Sequence, residues 1–187
     1  MEVKELTPAL WPDLERLFGP RGACGGCWCM YWRLPEGKKW EEFKGAAAKR
    51  CFKRLVADGA ARGLLAFAEG EPVGWCTFGP RPDFARLDRA PSLACDDADR
   101  VWSIPCFFVK GGHRGKGVAG ALLGGACAAM KRAGARVVEG YPVRDSRDGK
   151  PIPAAFAWTG TLSLFRRAGF RPAGPRGTGK RRMRKVL

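Results

Sequence analysis

The segment that most constrains this chain is Phe107-Phe108-Val109-Lys110-Gly111-Gly112-His113-Arg114-Gly115-Lys116-Gly117-Val118-Ala119-Gly120. Upstream, Val101 to Val109 is an apolar run rich in aromatic and β-branched residues, the composition of a buried strand. Downstream, from about Lys116 to Ala133, Ala119, Leu122, Leu123 and Ala126 recur at helical spacing. The glycines between let the backbone turn tightly and keep side chains away from the amides. A helix starting there exposes unpaired N–H groups at the positive end of its dipole, which makes an anion site. Arg114 and Lys116 add charge at its rim.

The rest of the chain supplies strands and helices around this turn. Residues 2–6 alternate as a short strand, and Thr7-Pro8 opens a helix whose stripe Trp11, Leu14, Leu17 and Phe18 stops at Gly19. A loop rich in Gly, Cys and aromatics runs to about Pro35. Trp40, Phe43, Ala47, Cys51 and Leu55 then mark a second amphipathic helix, stopped near Gly59. Leu64–Ala68 and Pro72–Phe78 flank Glu69-Gly70-Glu71 as a hairpin, and residues 79–99, rich in Asp and Pro, read as a loop with one helical turn. Residues 135–143 form another strand and Leu162–Ala168 a short helix. Residues 170–187 supply two strands around a glycine-rich turn at 174–179. Antiparallel runs enclosing one βαβ unit imply an α/β fold, one domain over residues 1–187, with a mixed central sheet of about six to seven strands and flanking helices.

Composition narrows the function classes. No apolar run approaches the roughly 20 residues that span a bilayer, and the N-terminus lacks an apolar signal core. The expectation is a cytoplasmic protein with no membrane partner. Its eight cysteines are then expected as reduced thiols, most of them buried. Cys24-Gly-Gly-Cys27-Trp-Cys29 offers three thiolates, but a zinc site wants a fourth ligand. No metal is expected; a redox pair and a loop packed into the core are the other readings. The net charge of +16 attracts polyanions, either nucleic acid or a nucleotide cofactor. The basic run Lys180-Arg181-Arg182-Met183-Arg184-Lys185 carries the nucleic-acid reading, the weaker of the two.

Three phosphate-binding patterns compete for the glycine turn. A Walker loop fails, because Lys110 stands at the first glycine position and Gly117 follows Lys116. The dinucleotide fingerprint G-x-G-x-x-G is met by Gly115, Gly117 and Gly120. Too little chain follows for that sheet, and the turn comes late in the element order. The third pattern, R/Q-x-x-G-x-G/A, is met by Arg114-Gly115-Lys116-Gly117-Val118-Ala119 and resembles the pyrophosphate loop of the GNAT acetyltransferases. Leu164-Phe165-Arg166-Arg167-Ala168-Gly169-Phe170 is similar to that family's helix-to-strand signature ending in Gly-Phe. The resemblance implies an acetyl-CoA-dependent N-acetyltransferase with acetyl-CoA as cofactor and a small-molecule or peptide amine as acceptor; a homodimer stays open. It implies that Phe107, Phe108 and Val109 bond the pantetheine arm through their backbone. Arg114, Gly115, Lys116, Gly117, Val118 and Ala119 would take the pyrophosphate, and Phe165 would line the channel.

Acetyl transfer needs a base for the acceptor amine and an acid for the departing thiolate. Glu139 and Tyr141, two residues apart on one strand, share a face. They are the candidate base and acid, with Asp97 and Asp99 in reserve. The alternative for Glu139 is a carboxylate paired with one of the many arginines. The family's usual acid, a tyrosine, falls at Phe165, which cannot donate a proton, so a catalytically inactive module that binds acetyl-CoA is the other reading of the same site. Trp28, Tyr31 and Trp32 are candidates to sandwich a flat or cationic acceptor, or else to pack in the core. The insert from Asp145 to Ala157 is a further candidate acceptor wall.

Overall fold

Residues 63–67 and 72–79 are buried without a break, so their strands must be covered on both faces. The structure, a computed structural model, describes residues 1–175 and 179–187. The chain runs β1 (Glu2–Glu5), α1 (Trp11–Phe18), α2 (Trp40–Phe43), α3 (Ala46–Ala57), β2 (Arg62–Ala68), β3 (Glu71–Pro80) and β4 (Val101–Val109). It continues as α4 (Val118–Arg132), β5 (Val137–Gly140), β6 (Ser146–Arg147), β7 (Lys150–Pro151), α5 (Leu162–Arg167), β8 (Arg171–Pro172) and β9 (Met183–Val186). Seven strands form one mixed sheet in the order β1-β2-β3-β4-β5-β9-β8. Within this sheet, among the described residues, β4 and β5 are the strands that pair in parallel, as their crossover through α4 requires.

Helices α4 and α5 cover one face over a core of Leu64, Cys76, Ile104, Leu122, Val138 and Phe165. Helices α1 and α3 cover the other, with Leu14, Phe52, Leu65 and Trp75 between them and the sheet. A smaller cluster of Trp32, Phe84, Leu87, Leu93 and Tyr141 lies beneath the segment after β3, where residues 81–89 wind as 3₁₀ turns.

Four sequence expectations change. The second helix divides, because Gly45 takes a left-handed φ of 79° between α2 and α3. Its buried stripe is Ala48, Phe52 and Val56, one position on from the expected one. The strand expected over 135–143 stops at Gly140, and β6–β7 is a small hairpin that periodicity gave no sign of. Of the expected turn at 174–179, residues 176–178 lie outside the described residues.

The feature that positions the site is the unequal length of β4 and β5. They pair only from Val101↔Val137 to Ile104↔Gly140, and β4 then continues to Val109 paired with β3 but not with β5. Pro105 has no N–H, and the Phe107 N–H instead donates 2.6 Å to the carbonyl of Trp158. The mouth of this split is held open by Phe165. Its ring lies over Gly140 so closely that a Cβ there would sit 1.9 Å from the ring. Gly140→Ala is therefore expected to overpack the split and lower stability by about 1–3 kcal/mol, read as a drop in denaturation midpoint. An unchanged midpoint would mean that Phe165 moves freely.

Candidate active site

A channel of about 880 Å³ runs from the glycine turn, along β4 beyond the split, to the cysteine-rich loop. At the outer end, Gly112, Gly115 and Gly117 hold φ of 81°, 74° and 81°, left-handed values that disfavour any side chain. A Cβ on any of the three would meet nothing within 4 Å, so these positions face open space. The first intrahelical donor of α4 is Ala121, bonded to Gly117. That leaves the Val118, Ala119 and Gly120 amides without helical acceptors. The Arg114 Nε donates 3.1 Å to the Val109 carbonyl, fixing the guanidinium beside the turn.

Of the residues assigned to the cofactor from sequence, Phe107, Phe108, Val109, Arg114, Gly115, Gly117 and Ala119 line this channel. Lys116, Val118 and Phe165 do not. Val118 is buried beneath the turn against Gly74. Phe165 is fully buried against Gly140, Phe107 and Phe170, and its neighbours Leu164, Arg167 and Ala168 face the channel instead. Trp158 and the alanines at 154, 155 and 157, from the insert before α5, form a further wall.

Glu139 and Tyr141 come together but line no part of the channel. Both are fully buried under the 81–93 segment, in a charged network. Glu139 Oε2 accepts 3.0 Å bonds from Arg81 Nη1 and from the Tyr141 hydroxyl. Its Oε1 accepts from Arg182 Nη1 at 3.0 Å and Arg184 Nε at 2.6 Å. Ser103 Oγ lies 2.7 Å from the Tyr141 hydroxyl, and burial, then the Glu139 charge, pushes that phenol well up. Arg81 and Arg184 also hold Asp88 and Asp97. A carboxylate with four donors on its two oxygens has no lone pair facing a substrate. The reserve candidate Asp97 is likewise engaged, its pKa lowered first by the hydrogen bonds from Arg184; Asp99 is an exposed residue in the turn just before β4.

The aromatic candidates separate. Trp28 is core, stacked on Trp11 with ring centres 6.0 Å apart. Tyr31 lines the channel, and with Trp32 it also lines a second recess of about 380 Å³ bordered by Arg86, Arg89, Ser92 and Lys180. Arg86 stacks 4.0 Å from the centre of the Tyr31 ring, and Lys180 Nζ lies 4.9 Å from that of Trp158. Burial lowers the pKa of Lys180.

At the inner end the channel wall carries Cys24, Cys27, Cys29 and Cys106. Cys29 has a left-handed φ of 58°, and its Sγ accepts 2.9 Å from the Trp75 indole N–H. Burial works against its thiolate, but the neighbouring Cys106 thiol and the Trp75 N–H, with the Arg33 charge, outweigh it and lower the pKa. The neighbouring Cys29, then burial, raises Cys106 well above the thiol range, while burial pushes Cys27 up to about 12. Among the described residues no group of three His, Cys, Asp or Glu side chains is arranged to hold a metal. Sequence spacing signalled the cysteine loop but not Cys106 or Trp75, which arrive from other strands.

The sequence pattern of the acetyltransferase (GNAT) family matches residues 27–147. No curated protein matches. Among solved structures, a ribosomal-protein-alanine N-acetyltransferase from Brucella melitensis is similar at 19% identity and TM-score 0.57, covering 100% of each chain. A GNAT-superfamily phosphinothricin acetyltransferase from Sinorhizobium meliloti, in complex with AcCoA, is similar at 16% identity and TM-score 0.57, covering 100% of this chain and 88% of its own. A PaiA N-acetyltransferase from Thermoplasma acidophilum, in complex with coenzyme A, reaches 13% identity and TM-score 0.50 with 100% of each covered.

Proposed function

The chain belongs to the GNAT acetyltransferase family, and from that premise we propose that it is an acetyl-CoA-dependent N-acetyltransferase formed by one domain. The observation that carries this reading is the channel linking the glycine turn to the unpaired edge of β4. The free amides of Val118 to Gly120 and the Arg114 side chain suit the pyrophosphate. The stretch from Phe107 to Val109 suits the pantetheine arm, and the inner end receives the acetyl group.

The acceptor enters from the second recess, past Tyr31. Its aromatic faces are already covered by Arg86 and Lys180, so the recess suits an amine that also carries a negative group, not a cationic sandwich. The basic run at 180–185 supports this use over nucleic-acid binding. Arg182 and Arg184 are committed to Glu139 and Asp97, and Lys185 bonds the Ala168 carbonyl.

The test is calorimetry with acetyl-CoA, followed by thiol release over a panel of amines with and without a carboxylate. Binding at micromolar to millimolar concentration, and release favouring the acidic amines, is expected. Arg86→Ala is expected to raise KM for those amines about tenfold, the scale of one lost charged hydrogen bond, and to leave acetyl-CoA affinity unchanged. An absence of binding at millimolar acetyl-CoA refutes the assignment.

A further inference from the structure

The second recess is built to hold negative charge. Hydrogen bonds from three parts of the chain fix its frame. The Arg86 N–H donates 3.2 Å to the Trp32 carbonyl, and the Arg181 N–H donates 2.9 Å to that of Pro142. The Trp32 indole N–H donates 3.0 Å to the Pro105 carbonyl, which ties the floor of the recess to the split in the sheet. On that floor Arg86 covers Tyr31, and Lys180 Nζ lies 5.8 Å from the centre of the Trp32 ring; the two ring centres are 5.1 Å apart. Among the described residues the wall of the recess holds no Asp or Glu. The acids nearby in sequence are engaged elsewhere, Asp83 with Arg33, Asp88 with Arg81 and Asp97 with Arg184. Arg86 Nη1 is buried with no hydrogen-bond partner. Arg86, Arg89 and Lys180 thus face one cavity of about 380 Å³ whose wall supplies no counter-charge. A buried charged donor without an acceptor is costly, and a ligand that brings the acceptor recovers that cost.

Resting on the reading of the chain as an N-acetyltransferase whose acceptor enters here, we propose that the acceptor amine carries two negative charges, as a phosphate monoester or a pair of carboxylates, and that Arg86 and Lys180 select for them. One charge satisfies Arg86 and leaves the Lys180 ammonium alone; the second pairs with it. The guanidinium fork takes two oxygens at once and the ammonium takes one. Arg89, exposed at the rim, adds an attraction screened by water. Ser92 offers a neutral hydroxyl on the same wall. Tyr31 lines both the recess and the channel, so a ligand anchored by its anionic end points its amine past that ring toward the thioester. Arg86 and Lys180 hold the acceptor away from the reacting atoms, and their loss is therefore read in KM more than in kcat.

The experiment titrates glutarate, inorganic phosphate and acetate by calorimetry into the full-length protein saturated with acetyl-CoA, so that the glycine turn is already filled. At about pH 8 phosphate carries about two charges. Glutarate and phosphate are expected to bind about tenfold tighter than acetate, the scale of one more charged hydrogen bond. Lys180→Gln is expected to bring both down to the affinity of acetate, and Lys180→Arg to keep the preference. Thiol release is then read with ethanolamine, β-alanine, glutamate and phosphoethanolamine. The two doubly charged amines are expected to show the lowest KM, and the lower of the two tells whether one phosphate or two carboxylates supply the charges. The titrations use the unaltered chain, so a variant that fails to fold leaves the test intact. Acetate binding as tightly as glutarate and phosphate overturns the inference and leaves the N-acetyltransferase reading standing. So does a KM for β-alanine as low as those of both doubly charged amines. None of the three anions binding while acetyl-CoA still binds overturns the recess as an anion site. An absence of acetyl-CoA binding overturns both readings.

Discussion

Gly117→Val is expected to remove acetyl-CoA binding while leaving a folded protein. The two effects separate because of where the position stands. A Cβ at Gly117 meets nothing of the protein within 4 Å, so the added volume costs no packing. The left-handed φ of 81° costs a valine about 1–2 kcal/mol, a small fraction of a domain's stability. The branched side chain, however, stands over the first amides of α4. Blocking two charge-assisted hydrogen bonds of about 1.5–3 kcal/mol each weakens binding by about 10²-fold to 10⁴-fold. Arg114→Ala, which spares the amides, is expected to lose about tenfold. Calorimetry beside a denaturation curve reads both quantities. Folded Gly117→Val with unaltered affinity would move the phosphate site elsewhere.

The second large effect is on stability. Glu139→Gln keeps the shape of the side chain and removes the charge that Arg81, Arg182 and Arg184 share. Arg81 has a fully buried side chain. Taking one partner from a buried ion network costs about 3–5 kcal/mol, because the guanidinium groups lose their buried counter-charge, and Arg81 and Arg184 keep only the more exposed Asp88 and Asp97. Denaturant titration is expected to show that loss, with acetyl-CoA affinity per folded molecule unchanged. The opposite outcome is equally readable. Unchanged stability with turnover lowered by about 10²-fold would make Glu139 the base after all and open the network to the acceptor.

Local pattern carried the reading of this chain as far as local causes reach. The apolar run Val101–Val109 is β4 to the residue, since a strand buried along its length needs no distant partner to be recognised. The glycine turn was legible because its chemistry resides in its own backbone. Period-two spacing correctly put Glu139 and Tyr141 on one face. Their surroundings were not legible, because Arg81, Arg182 and Arg184 come from 58, 43 and 45 residues away. Burial of one carboxylate among 34 basic residues says only that some of them will find it. The family resemblance puts Phe165 on the channel, but a rotation of one position gives that wall to Leu164. The surroundings of the cysteine loop were hidden for the same reason as those of Glu139: the Trp75 N–H that donates to Cys29 belongs to β3.

The Glu139 network also imposes an order on the protein's folding. Arg81 and Glu139 leave the ribosome well before Arg182 and Arg184, and until β9 arrives Glu139 has only one of its three cations. The nascent sheet, complete through β5, therefore lacks both its neighbour on that edge and the charges that balance its interior. Strand addition by residues 183–186 is then the step that licenses burial of Glu139, and a polypeptide that ends before residue 182 leaves that edge of β5 unpaired.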